Sequence, residues 1–201
     1  MTFVILGASG HTGKVAAETL LAAKQPVRVL VRSADKGAAL KARGAEVAIG
    51  DITDVASLRE AFAGAKGVYM LLPPDVTHEN FLDSRRVMVD NLVQAAREAK
   101  VGHVVLLSSV GAQLKSGTGP ILSVAYAEKA LDNAGIPRTF VRAAYFLENY
   151  GGVIPVAQKD GVLPTFFPVD ASSRICRNGT PSIVTRSDLV SWQSSPSRAP
   201  V

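Results

Sequence analysis

Seven residues near the start of the chain, Gly7-Ala8-Ser9-Gly10-His11-Thr12-Gly13, constrain its fold more than any other segment. They follow a short apolar run, Thr2–Leu6, and lead into an amphipathic stretch, Thr12–Lys24, with Ala16, Leu20 and Ala23 on one face. A strand that ends in spaced glycines and turns at once into a helix is the opening of a β-α-β unit. Each glycine has its own task. Gly7 permits the tight turn, Gly10 lets the backbone approach a pyrophosphate with no Cβ in the way, and Gly13 lets the helix pack closely on the strand. Ser9, His11 and Thr12 complete the loop, and the amides at the helix start meet phosphate oxygens, aided by the positive end of the helix dipole. A glycine turn without a ligand is the competing reading.

Downstream, short apolar runs keep alternating with amphipathic stretches. Strands are expected at Val27–Val31, Ala45–Ile49, Gly67–Leu71, His103–Ser108 and Arg138–Arg142, with a long helix over Thr77–Lys100 whose apolar face holds Met88, Val89, Leu92 and Ala96. Alternation of this kind gives an α/β fold, a doubly wound parallel sheet of the Rossmann type. Right-handed crossovers favour the strand order 3-2-1-4-5-6, with a ligand crevice at the carboxyl ends of the first and fourth strands. At 201 residues there is room for one main domain and a small appendage. Residues 1–150 are read as the dinucleotide-binding domain, 151–175 as a partial substrate lobe and 176–201 as a poorly ordered tail.

The kind of dinucleotide is decided at the tip of the second strand. Proteins that bind NAD usually carry an acidic residue there, about 20 residues past the loop, to hold the ribose 2′-hydroxyl. This chain reads Val31-Arg32-Ser33-Ala34-Asp35-Lys36. The Arg32 guanidinium and the Lys36 ammonium suit a 2′-phosphate, so NADP(H) is expected, with NAD(H) as the alternative. Asp51, after the third strand in Gly50-Asp51-Ile52, is placed to accept from the adenine amino group while Ile52 covers the ring; a turn or capping aspartate is the other reading. Leu72-Pro73-Pro74, after the fourth strand, are expected to form the opposite wall of the crevice; a proline that simply stops the strand is the other reading of Pro73.

These stretches, with Leu107-Ser108-Ser109, Ala127-Glu128-Lys129-Ala130-Leu131, and Phe140-Val141-Arg142 leading into Phe146-Leu147-Glu148-Asn149-Tyr150, resemble the NmrA-like family of atypical short-chain dehydrogenases. That family includes NAD(P)H quinone reductases, triphenylmethane dye reductases and redox-sensing regulators. The resemblance runs from residue 1 to about residue 175. It implies that Phe146, Asn149 and Tyr150 shape the substrate pocket, with Ser108 and Ser109 on the strand tip beneath the nicotinamide. Members of the family usually continue further, so a truncated substrate lobe is expected. The Ser/Arg/Pro bias of Cys176–Val201 is also what an out-of-frame reading of GC-rich DNA gives, which the coding sequence would test.

Catalytic residues are harder to find. Typical short-chain dehydrogenases use Tyr-x-x-x-Lys, whereas Tyr126 here is followed by Lys129 at three residues and Ala130 at four. Tyr126 and Lys129 are the weak candidates, since positions three apart can neighbour one another on a helix. Hydride transfer to a quinone needs mainly good positioning and a proton from water, so an absent dyad does not exclude a reductase. The leading expectation is an NADPH-dependent oxidoreductase that reduces a small aromatic acceptor such as a quinone. The alternative is a non-enzymatic sensor that binds NADP(H).

Composition narrows the partners. A formal charge of +5 and a pI near 9.5 could suit nucleic acid, but the lysines and arginines are spread along the chain, so no nucleic-acid partner is expected. Three scattered histidines and one cysteine, Cys176, suggest neither a metal site nor a disulfide framework. Without an apolar run approaching a membrane span or a secretory signal, the cytoplasm is the expected compartment.

Overall fold

The computed structural model describes residues 1–73, 80–162, 173–177 and 180–184. The chain forms two compact units, Met1–Arg142 and Ala143–Val201.

The first unit alternates strands and helices throughout: β1 (Thr2–Ile5), α1 (His11–Ala22), β2 (Val27–Val31), α2 (Ala34–Ala42), β3 (Glu46–Ile49), α3 (Val55–Phe62), β4 (Ala65–Met70), α4 (Phe81–Glu98), β5 (Val104–Ser109), α5 (Ile121–Asn133) and β6 (Arg138–Ala143). Six strands make one sheet in the order β3-β2-β1-β4-β5-β6, as the crossover rule predicts. β1 pairs in parallel with β2 and β4, β2 with β3, and β4 with β5. Alternation along β1 divides the core between the two faces of this sheet. Val4 and Leu6 join Leu58, Phe62, Val89, Leu92, Ala127 and Leu131 from α3, α4 and α5. Ile5 packs on the other side with Val29, Val31, Ala17 and Leu40, from β2, α1 and α2.

Element ends differ from the sequence reading by small amounts, and the differences have local causes. β4 starts two residues earlier because Gly67 lies inside the strand rather than at its edge. A Cβ at Gly67 would stand 3.2 Å from the Phe3 ring on β1, so the missing side chain makes room for a neighbour. α4 begins at Phe81; Thr77 and His78, at and near the expected helix start, and Pro74 lie outside the described residues. Its buried face carries Arg85, Val89, Leu92, Ala95 and Ala96, with Met88 partly buried against the same core.

The second unit contains β7 (Tyr145–Phe146), a 3-10 turn (Leu147–Gly152), α6 (Ile154–Asp160), β8 (Ser173–Arg177) and β9 (Thr180–Val184). Its sheet runs β7-β8-β9, with β7 parallel to β8 and β9 antiparallel to it. The sequence reading kept residues 143–150 with the first unit. Instead Tyr145 and Phe146 pair with Ile175 and Cys176, which draws that segment into the second unit. β8 and β9 also fall largely where composition suggested no order; neither strand alternates polar and apolar residues, and what joins them is antiparallel backbone pairing from Ser173 with Val184 to Arg177 with Thr180. The remainder of the tail lies outside the described residues.

Candidate dinucleotide-binding site

The glycine loop leaves β1 beside β4. Leu6 N–H donates to the Tyr69 carbonyl at 3.1 Å, after which Gly7 turns with φ +63°. That left-handed conformation favours glycine, and a Cβ there would also meet Leu71 at 2.7 Å. Gly10 N–H closes the turn on the Gly7 carbonyl at 2.9 Å. At Gly13 a Cβ would lie 2.4 Å from Gly7 O and 2.8 Å from Leu6 O, so only glycine lets α1 sit this close to β1. Gly10 is different: an added Cβ has one neighbour, Gly7 O at 3.4 Å, and otherwise faces open space.

Ligand chemistry follows from what the helix start leaves unbonded. Within the turn Lys14 N–H donates to Gly10 O at 3.0 Å, so the amides of His11, Thr12 and Gly13 precede the first helical bond. α1 has no side-chain cap and no acidic residue in its first turn. Ser9, Gly10 and His11 are exposed, and the Thr12 side chain hydrogen-bonds Tyr69, whose phenol is pushed up by burial. The loop therefore offers a cradle that a Cβ would fill and donors without partners, which fits a pyrophosphate.

The adjoining strand tips carry the next residues. Arg32 follows β2 and is exposed, as is Lys36 on α2; Gly50 N–H donates to Val31 O at 3.0 Å, which holds the ends of β2 and β3 together. Asp51 Oδ1 accepts from Thr53 N at 2.8 Å and Thr53 Oγ1 at 2.7 Å. These two bonds, with the nearby Arg32 charge, hold its carboxyl below the usual carboxylate range. Asp51 thus has the turn role that its sequence context allowed, while Oδ2 has no hydrogen-bond partner among the described residues. Asp54, one step on, caps α3 by accepting from Ala56 N and Ser57 N, each at 3.1 Å. Ile52 and Leu72 are half-buried against the larger core, and Pro73 is half-buried beside Leu72.

At the end of β5 the sequence reading missed a network. Ser108 is buried, and its hydroxyl donates to Glu128 Oε1 at 2.5 Å. Glu128, buried on α5, also accepts from Arg142 Nε at 2.9 Å and from its second terminal nitrogen at 2.6 Å. The bidentate Arg142 contact depresses the Glu128 carboxyl, against the opposing effect of burial and with help from Ser108. Ser109 instead turns to the Val110 carbonyl at 3.0 Å. The signal was present in the sequence: Glu128 sits next to Ala127 and three residues before Leu131, on the apolar side of its helix.

Tyr126 and Lys129 are placed elsewhere. The Tyr126 hydroxyl donates to Asp90 Oδ1 on α4 at 2.8 Å, and Arg86 lies 5.9 Å from its ring centroid. Asp90 raises the phenol's pKa. Lys129 is exposed and lines, with Tyr126, a groove of about 990 Å³ between α4 and α5. That groove shares no residue with the glycine loop or the strand tips described above. Phe146, Asn149 and Tyr150 belong to the second unit, where Tyr150 packs edge to face on Tyr145 with ring centroids 5.3 Å apart. Among the described residues no group of three His, Cys, Asp or Glu side chains could hold a metal ion, and no helix is long and apolar enough to cross a membrane.

Comparison with known proteins gives this geometry a family. The model of the NmrA-like family matches residues 1–168. An NAD(P)H azoreductase of Xenophilus azovorans is 29% identical over 148 residues, which are 73% of this chain and 49% of that protein. Among solved structures, the triphenylmethane reductase of Citrobacter sp. complexed with NADP(H) aligns with a TM-score of 0.69 at 27% identity, covering 79% of this chain and 55% of that one. The NADPH-dependent quinone oxidoreductase of Escherichia coli complexed with NADPH aligns with a TM-score of 0.73 at 26% identity, covering 96% of this chain and 63% of that one. The chain spans about half the length of the azoreductase it matches.

Proposed function

The chain belongs to the NmrA-like family, and on that basis we propose that it binds NADP(H) at the glycine loop and reduces a small aromatic acceptor such as a quinone. The observation that carries this reading is the pairing of Gly13 with Gly10. One closes helix against strand, the other keeps the space in front of three free amides empty. Arg32 is the residue proposed to grip the 2′-phosphate, with Lys36 beside it; a carboxylate at that strand tip would repel the same group. Gly7, Ser9, His11 and Thr12 would surround the pyrophosphate, Asp51 and Ile52 the adenine, and Leu72, Pro73 and Ser108 the nicotinamide end. Phe146, Asn149 and Tyr150 are the residues proposed to meet the acceptor.

When bound, the reduced nicotinamide supplies a hydride. A quinone that accepts it needs one further proton to become the hydroquinone, and water can give it, so the protein's task is positioning. Azoreductase, dye reductase and quinone reductase relatives support a reductase without fixing the acceptor. The test is steady-state NADPH oxidation against a panel of quinones and triphenylmethane dyes, with NADPH and NADP+ affinities measured in parallel. Turnover of a quinone with micromolar NADPH affinity supports the proposal. Binding without turnover of any acceptor selects the sensor reading instead, and absence of binding overturns both.

A further inference from the structure

Asn91 is a costly residue for the middle of a long helix, since asparagine lowers helix propensity and its side chain competes for backbone hydrogen bonds. In α4 it is half-buried, and its Nδ2 donates to the Thr53 carbonyl at 2.7 Å, joining residues 38 positions apart. Thr53 is the residue whose N–H and hydroxyl both reach Asp51 Oδ1. The turn is also tied from its other side, because Asp54 N–H donates to the Asp51 carbonyl at 3.1 Å and the Asp54 side chain caps α3. Asn91 therefore fixes the peptide that follows Thr53. Through Thr53 it fixes the plane of the Asp51 carboxylate.

That orientation has a chemical consequence. Two donors occupy Oδ1, and the ionised carboxylate has none of its own to offer, which leaves Oδ2 of the exposed Asp51 as an acceptor without a hydrogen-bond partner among the described residues. An acceptor of this kind favours a purine that presents an amino group and disfavours one that presents an oxo group at the same position. We infer that Asn91 is a positioning residue which, through Thr53, aims Asp51 at the 6-amino group of the bound dinucleotide's purine and so makes the site discriminate adenine from hypoxanthine. The inference rests on the NADP(H) reading proposed above.

The experiment compares affinities for NADPH and its deamino analogue, which carries hypoxanthine, in the whole chain. The wild-type protein should prefer NADPH by about tenfold or more, the range of one hydrogen bond to a charged group. Asn91→Ala should narrow that ratio by about three- to tenfold, since Asp51 keeps its charge but loses its aim. The NADPH/NADH ratio, set at Arg32, should stay as in the wild type. Thr53→Val, which keeps the shape and removes the hydroxyl, should narrow the first ratio as well, so the idea remains testable should Asn91→Ala fold poorly. A merely structural role would weaken NADPH and its deamino analogue alike and leave their ratio unchanged, which overturns the inference. Equal wild-type affinity for the two also overturns it while leaving the NADP(H) reading intact; a wild-type protein that binds neither removes that reading itself.

Discussion

Replacing Gly13 and Gly10 by alanine, one at a time, separates what the loop does for the fold from what it does for the ligand. At Gly13 the new Cβ would stand 2.4 Å from Gly7 O and 2.6 Å from Gly7 C, both backbone atoms that cannot swing aside. Ordinary contact begins near 3.4 Å, so α1 and the β1 turn must part by about 1 Å. Overpacking of this kind costs about 2–3 kcal/mol, and the helix regains about 1 kcal/mol from the better propensity of alanine. The net loss, about 1–2 kcal/mol, corresponds to a fall in Tm of about 3–6 °C for a chain of this size. At Gly10, with φ −98° and a nearest neighbour at 3.4 Å, alanine is tolerated, and stability should change by no more than about 0.5 kcal/mol. Its methyl group instead enters the space before the helix amides, and NADPH affinity should fall by about tenfold or more. Thermal unfolding followed by circular dichroism reads the first effect, and NADPH fluorescence titration reads the second. A Gly13→Ala protein as stable as the wild type would refute the packing argument. Wild-type affinity in a folded Gly10→Ala would place the phosphates elsewhere.

Arg32→Ala should narrow the NADPH/NADH affinity ratio by about tenfold or more, because a charge-assisted contact worth about 1.5–3 kcal/mol exists only with the 2′-phosphate; an unchanged ratio rejects Arg32 as the selector. Glu128→Gln should cost about 1–2 kcal/mol near neutral pH, a figure kept low because the Arg142 side chain is 43% exposed. Since the folded Glu128 carboxyl is depressed, its contribution is present above the ordinary value of 4.5 and fades as pH falls from there through the folded value. The gap between wild type and variant in thermal melts should therefore close on acidification, and a constant gap would mean that Glu128 is not ionised in the fold. Tyr126→Phe should leave quinone turnover within about tenfold, a barrier change near 1.4 kcal/mol, because the hydroxyl is engaged with Asp90 on α4; a far larger loss would restore Tyr126 as the proton donor.

The parts of this protein that local pattern specifies were legible from the residues alone. Strand order follows from alternating elements and a handedness rule, and the turn at Gly7 and the close packing at Gly13 follow from the glycine spacing. Asp51 was ambiguous because one carboxylate has two oxygens: it makes the turn with Oδ1 and leaves Oδ2 for another partner. What stayed hidden depends on contacts between residues far apart in sequence. A glutamate in a helix reads as a solvated charge until its arginine, 14 residues on, is seen to arrive on the same side. Asn91 reads as an ordinary polar position until Thr53 is found against it. The pairing of Tyr145 and Phe146 stayed hidden for a related reason, since their strand partners, Ile175 and Cys176, follow about 30 residues later.

The same logic bears on the missing Tyr-x-x-x-Lys dyad. Tyr126 and Glu128 are two residues apart, which places them about 200° apart around α5, so they face in nearly opposite directions. The structure assigns those directions: Glu128 reaches Ser108 and Arg142 on β5 and β6, and Tyr126 reaches Asp90 on α4. A helix held to the sheet by a bidentate ion pair whose carboxylate is buried cannot rotate by half a turn to exchange the two faces without taking Glu128 away from both Arg142 and Ser108. The side of α5 that meets the sheet thus offers the ends of β5 and β6 an ionised carboxylate already filled by three donors, and no phenol. If the proposed reduction takes place here, its proton would come from water or from a group outside α5. An acceptor whose reduced form draws that proton readily from solvent, as a quinone's does, suits such a site better than an unactivated ketone, which needs an acid poised at its oxygen.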